Sequence, residues 1–143
     1  MKKINKKQRY AIWIDHRKAI VLTADRDGNL KEEEMISPGA VKERFAGEES
    51  NKTSTRIGHT VANESHHQHK EENDFRAFLK HIVAKLNVPE GLLILGPGDA
   101  RHELQNEVEN EKILKGLKLE NRPADKMTDH ELREAMKEYF HLS

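Results

Sequence analysis

The stretch Leu92-Leu93-Ile94-Leu95-Gly96-Pro97-Gly98-Asp99-Ala100 constrains the fold more than any other part of the chain. Four consecutive apolar residues are too few for a free-standing helix and fit a strand buried on both faces. Gly-Pro-Gly then ends the strand, because Pro97 has no N–H for a neighbouring strand and the glycines permit a sharp turn. Asp99 suits the N-cap of a helix in which Ala100, Leu104 and Val108 recur at helical spacing. Strand, turn and helix make the first half of a parallel crossover. In open sheets the ligand-binding edge lies at the carboxyl ends of such strands, where Gly96–Asp99 fall.

The remaining elements arrange themselves around this unit. Tyr10 to Ile14 and Ala19 to Thr23 read as two strands joined by the polar turn Asp15-His16-Arg17-Lys18. Asp27-Gly28 is a hairpin signal, and Leu30 to Ile36 supplies a third strand, which Ser37-Pro38-Gly39 ends. Residues 40–70 carry little apolar periodicity, and a loop of this length in a compact domain is either functional or disordered. Phe75, Phe78, Leu79, Ile82, Val83 and Leu86 then form an apolar stripe on one helical face, closed by Pro89 and Gly91. After the central unit the helix breaks near Gly116, and Leu117 to Leu119 is a last short strand. Thr128-Asp129-His130-Glu131 is a capping box with Met127 and Leu132 placed as a hydrophobic staple. The helix it opens buries Leu132, Ala135, Met136, Tyr139 and Phe140. The order β-β-β-α-β-α-β-α implies an α/β fold. It is a mixed sheet of about five strands, a three-stranded meander plus two crossovers flanked by helices, as in the ribonuclease H-like architecture.

Composition narrows the function classes. The 143 residues form one domain (10–143) behind a basic arm over 1–9 that holds Lys2, Lys3, Lys6, Lys7 and Arg9. A formal net charge of zero supplies no global attraction to nucleic acid or membrane. With no cysteine, disulfides, thiol catalysis and thiolate metal sites are excluded. No apolar run spans a bilayer and no signal-peptide core stands at the start, so the expected address is the cytoplasm, with no membrane partner.

The motifs and their order resemble the middle domain of archaeal and eukaryotic class I peptide release factors and of Pelota. They are similar above all to the stand-alone bacterial relatives, which include the family "protein required for attachment to host cells". Ile12-Trp13-Ile14-Asp15-His16-Arg17-Lys18-Ala19 resembles the opening strand and Asp-containing turn. Residues 71–86 resemble the long helix after the variable loop, Leu92 to Asp99 the apolar strand ending in Gly-Pro-Gly, and Pro123 to Leu132 the opening of the last helix. The resemblance implies a translation-associated binding protein with the ribosome or tRNA as partner. In release factors the loop before the long helix carries Gly-Gly-Gln, which promotes hydrolysis of peptidyl-tRNA. The corresponding segment here has only Gly47 and Gly58, each alone, so peptidyl-tRNA hydrolysis is not expected.

Several residues carry a chemical reading beside a plainer one. Lys52, Arg56, His59 and Lys70 are the candidate RNA contacts, diluted by Glu48, Glu49, Glu64, Glu71 and Glu72. His66, His67 and His69 are weak candidates for a metal ion against solvated histidines at a helix start, and no metal or small-molecule cofactor is expected. Asp15, Glu71 (or Glu72) and Asp99 fall where ribonuclease H-like nucleases hold their carboxylates. The alternative function is therefore a metal-dependent phosphodiesterase. Against it, Asp15 is a turn residue and Asp99 an N-cap. Trp13 could stack on a base or fill the core. A third reading is a homodimeric protein–protein adaptor, docking through exposed apolar residues of the sheet or the terminal helix.

Overall fold

Ala11 to Ile14 are apolar in succession, and a strand with no side chain to offer water belongs in the middle of a sheet. It lies there in the computed structural model, which describes residues 8–25, 27–38, 73–87, 89–114 and 116–142. Strand β1 (Gln8–Ile14) pairs antiparallel with β2 (Lys18–Ala24), and β2 antiparallel with β3 (Leu30–Ile36). On its other side β1 pairs parallel with β4 (Pro89–Gly96), and β4 parallel with β5 (Lys118–Pro123). The order β3-β2-β1-β4-β5 is the mixed five-stranded sheet expected from the sequence, with the meander on one side and the crossover strands on the other.

Among the described residues three α-helices cover it. Helix α1, described over 73–84, and α2 (Ala100–Asn110) lie on one face, and α3 (Asp129–Phe140) on the other. Ile12, Ile14, Leu92 and Ile94 meet Phe78, Leu79 and Ile82 of α1 and Leu104 and Val108 of α2. Ala11, Trp13, Leu93 and Leu95 meet Leu132 and Met136 of α3. Leu92, Leu93, Ile94 and Leu95 are all buried, as a central parallel strand requires. Each such side chain contributes roughly 1.5–3 kcal/mol by leaving water. At the far end of the sheet the Tyr10 hydroxyl accepts from the Asn87 N–H at 2.8 Å and donates to Gln8 Oε1 at 2.8 Å, tying β1 to the exit of α1. Burial pushes this hydroxyl above its ordinary pKa, the Asn87 N–H pulling it part of the way back.

Several boundaries differ from those read in the sequence, each for a local reason. The first strand starts at Gln8 rather than Tyr10, because Arg9 pairs with Ala24 and its guanidinium donates to the Asp25 carbonyl at 3.0 Å. The β2–β3 turn is built on Asp25 rather than on Asp27-Gly28 alone. Asp25 Oδ1 accepts from the N–H of Asp27 and of Asn29, both at 2.9 Å, and the Asn29 bond does most to hold that carboxyl below its usual range. Gly91 belongs to β4 instead of closing the preceding helix; a Cβ there would sit 2.7 Å from the Phe140 ring, which packs over its bare backbone. Helix α2 stops at Asn110, short of Gly116, and a 3-10 turn over Lys112–Leu114 follows. Its last turn holds no basic residue, so Glu107 and Glu109 stand at the negative end of the helix dipole with no cation of the helix beside them. The last strand reaches Pro123 because an outer strand tolerates Glu120, Asn121 and Arg122.

Helix α3 opens as its sequence dictates. Thr128 Oγ1 accepts from the Glu131 N–H at 3.1 Å, and Glu131 Oε1 accepts from the Thr128 N–H at 2.8 Å. Met127 packs on the same cluster as Leu132, completing the staple. Of the five residues expected on its buried face, Leu132 and Met136 are buried while Ala135, Tyr139 and Phe140 are half-buried, since among the described helices it spans this side of the sheet alone. Thr128→Ala is expected to cost about 1 kcal/mol, read as a lowered urea midpoint with an unchanged denaturant slope.

Candidate functional site at the carboxyl edge of the sheet

The parallel pairing of β1, β4 and β5 brings Ile14, Gly96 and Pro123 to one edge of the sheet, and β3, running the same way, ends there at Ile36. Two turns meet at this edge. In the first, Asp15 Oδ1 accepts from the N–H of Arg17 and of Lys18, both at 2.8 Å, while the Asp15 N–H donates to the Lys18 carbonyl at 3.0 Å. The carboxylate thus does the work of a turn builder. In the second, Gly96 leaves β4 directly against the Ile14 carbonyl, and its own carbonyl accepts from the Ala124 N–H at 2.9 Å. Asp99 stands at the N-cap of α2 as expected, but its backbone is helical and its side chain makes no cap bond. Its carbonyl alone receives the N–H of His102 and Glu103, each at 3.0 Å.

The Asp15–Lys18 turn also gathers residues distant in sequence. His16 Nε2 lies 2.7 Å from Glu103 Oε1 in the first turn of α2, and its ring centroid is 4.7 Å from that of Phe75 at the start of α1. Both His16 and Glu103 are exposed. Ser37, just past β3 and buried, donates its N–H to the Arg17 carbonyl at 2.9 Å and its hydroxyl to the His16 carbonyl at 3.2 Å. Ser37 and Phe75 flank the intervening segment in the sequence, and both rest on this turn. Nothing in the sequence marks His16, Ser37, Phe75 and Glu103 as a group. Phe75 stands out only as the first residue of a helical stripe, and Ser37 only as a strand terminator.

Of the residues singled out in the sequence, Asp15 and Asp99 lie at this edge. Glu71, Glu72, Glu64, Lys52, Arg56, His59, Lys70, His66, His67 and His69 lie outside the described residues. Among the described residues, no three His, Asp or Glu side chains are grouped so as to hold a metal ion. Trp13 is buried in the core, its Nε1–H donating to the Asp125 carbonyl at 3.1 Å. No described helix is long and apolar enough to cross a membrane.

No family model matches the chain, and no curated protein matches it. Among solved structures, the chain is similar to a Pelota protein from Thermoplasma acidophilum, with 15% identity and a TM-score of 0.49 over 94% of this chain and 33% of that one. It is similar to an archaeal translation termination factor at 20% identity and a TM-score of 0.40, over 94% of this chain and 35% of that one. A further archaeal protein is similar at 19% identity and a TM-score of 0.42, over 94% of this chain and 34% of the other. The chain thus spans about a third of each of these proteins.

Proposed function

We propose that this chain is a translation-associated binding module that contacts the ribosome or tRNA through residues 45–70, with Lys52, Arg56, His59 and Lys70 meeting phosphate, and that it does not hydrolyse peptidyl-tRNA. The observation that carries this reading is the rooting of both flanks of that segment, Ser37 and Phe75, on the Asp15–Lys18 turn at the carboxyl edge. A rigid sheet that fastens both ends of a polar, cation-bearing segment is the usual arrangement for a binding loop. The order of the release-factor-like motifs supplies the partner class, and the lack of Gly-Gly-Gln argues against hydrolysis. The phosphodiesterase reading loses ground because Asp15 Oδ1 is engaged by two backbone amides.

The test is co-sedimentation with ribosomes across a salt series, beside a variant lacking residues 45–70 and the variant Lys52→Gln/Arg56→Gln/Lys70→Gln. Three phosphate contacts by permanent cations give a slope of roughly −2 to −3 in log affinity against log salt. Binding should therefore weaken about 20- to 60-fold between 50 and 200 mM salt. The triple variant should bind at least tenfold more weakly, with a flattened slope. Binding that is absent at low salt, or indifferent to both variants, would overturn the reading.

A further inference from the structure

The sheet has two outer strands, β3 and β5, and an outer strand presents a row of backbone N–H and C=O groups able to pair with another chain. The two are built in opposite ways. β3 carries Glu32, Glu33 and Glu34 in succession, all exposed. Antiparallel pairing with a second copy about Glu33 would set Glu33 against itself and Glu32 against Glu34, like charges that repel across the seam. Each glutamate is moreover met within the chain, Glu32 by Arg133 and Glu33 by Lys85, both at 3.0 Å, and Glu34 by Lys18 at 3.6 Å. This edge is protected by charge.

β5 reads Lys118-Leu119-Glu120-Asn121-Arg122-Pro123. Antiparallel pairing with a second copy about Asn121 sets Glu120 opposite Arg122 twice, once on each side of the axis, and Asn121 opposite itself. Directly opposed residues share a face of the sheet, and opposite charges there attract. The faces are fixed by packing. Glu120 and Arg122 form an ion pair with each other on the α3 side, where the Arg122 guanidinium also lies 5.5 Å from the centre of the Tyr139 ring. Asn121 is held on the α2 side, accepting from Arg101 at 2.8 Å and donating to Gln105 at 2.8 Å. Among the described residues no strand pairs with the outer side of β5. Pro123 lies opposite Leu119 of the second copy and has no N–H, so the seam's backbone bonds are the mutual pair at Asn121 and those from the Leu119 N–H to the Pro123 carbonyl at either end.

We propose that β5 is a self-recognition edge: two copies of this chain pair β5 to β5, antiparallel about a two-fold axis at Asn121, and join two five-stranded sheets into one. The seam is small, so the dimer is weak, with a dissociation constant on the order of 10–100 µM. It is independent of ribosome binding and is tested without ribosomes.

Sedimentation velocity over a concentration series at low salt should show the 16.5 kDa chain passing into a species of twice that mass. Arg122→Glu and Glu120→Arg should each weaken self-association roughly tenfold or more, since attraction becomes repulsion at both ends of the seam. Mixed, the two variants should associate with each other, because every pair across the seam then sets one arginine against one glutamate again. The Arg122 and Glu120 side chains are 39% and 41% exposed, so reversal leaves the fold standing, which a thermal melt of each variant verifies. A wild-type chain that stays monomeric at every concentration overturns the proposal. So does a dimer insensitive to either reversal, or a mixture that fails to regain association.

Discussion

Gly96→Ala is expected to destabilise the protein by about 4 kcal/mol, lowering its thermal midpoint by about 12 °C for a chain of this size. Two separate costs fall on one atom. Gly96 has φ +153°, a conformation that a residue with a Cβ enters only under strain of roughly 1–3 kcal/mol. A Cβ at that position would also be driven into the Ile14 carbonyl oxygen, which belongs to the backbone of the central strand and cannot swing aside. Relief would require β4 to part from β1 where Leu95 pairs with Trp13. Gly98→Ala in the same turn is the control. Its φ of +64° carries the left-handed cost of about 1 kcal/mol, but an added Cβ meets nothing. Urea unfolding of both variants measures the difference. Equal losses would mean that the close approach of the two strand ends carries no energy.

The same turn shows how far the sequence can be read. The run Leu92 to Leu95 announces a strand buried on both faces, because no side chain in it can be offered to water. The stripe from Phe75 to Leu86 announces a helix, and Thr128 with Glu131 announces the start of another, because these patterns are local and each has one structural explanation. The features that escape such reading are settled at a distance. Gly91 looks like punctuation after a helix, and its place inside β4 depends on Phe140, some fifty residues later. The end of α2 at Asn110 is missed for a nearer reason: acidic residues crowd its last turn, while Gly116 offers a simpler stop. The candidate site is the least legible part. Asp15 stands out in the sequence with its turn-building role, since that role lies within a few residues, whereas Asp99 stands out as an N-cap but caps nothing with its side chain. The grouping of His16, Ser37, Phe75 and Glu103 arises only when four separate elements meet at one edge, and no spacing in the sequence encodes it.

Trp13 carries the second large effect, and it separates a core role from a binding one. It is the chain's single tryptophan, buried between β1 and α3 beside Leu93, Leu132 and Met136, with its Nε1–H donating to the Asp125 carbonyl. Trp13→Ala removes the largest side chain in that layer and is expected to cost about 4 kcal/mol, because α3, the one described helix on that face, cannot collapse into the void. Trp13→Phe keeps most of the volume and gives up the hydrogen bond. Asp125 is exposed, so water can take over its carbonyl, and the expected cost is about 1–2 kcal/mol. In the native protein the tryptophan emission should be blue-shifted and resistant to acrylamide, moving to the red only as the chain unfolds. The decisive comparison sets these losses beside ribosome co-sedimentation under conditions where Trp13→Phe remains folded. A side chain that only supports the sheet leaves affinity and its salt slope unchanged. A stacking residue would lose affinity in Trp13→Ala by far more than its unfolded fraction explains, and its fluorescence would be quenched when RNA is added to the wild-type protein. The buried indole, pinned at its one polar atom, leads us to expect stability loss without loss of binding.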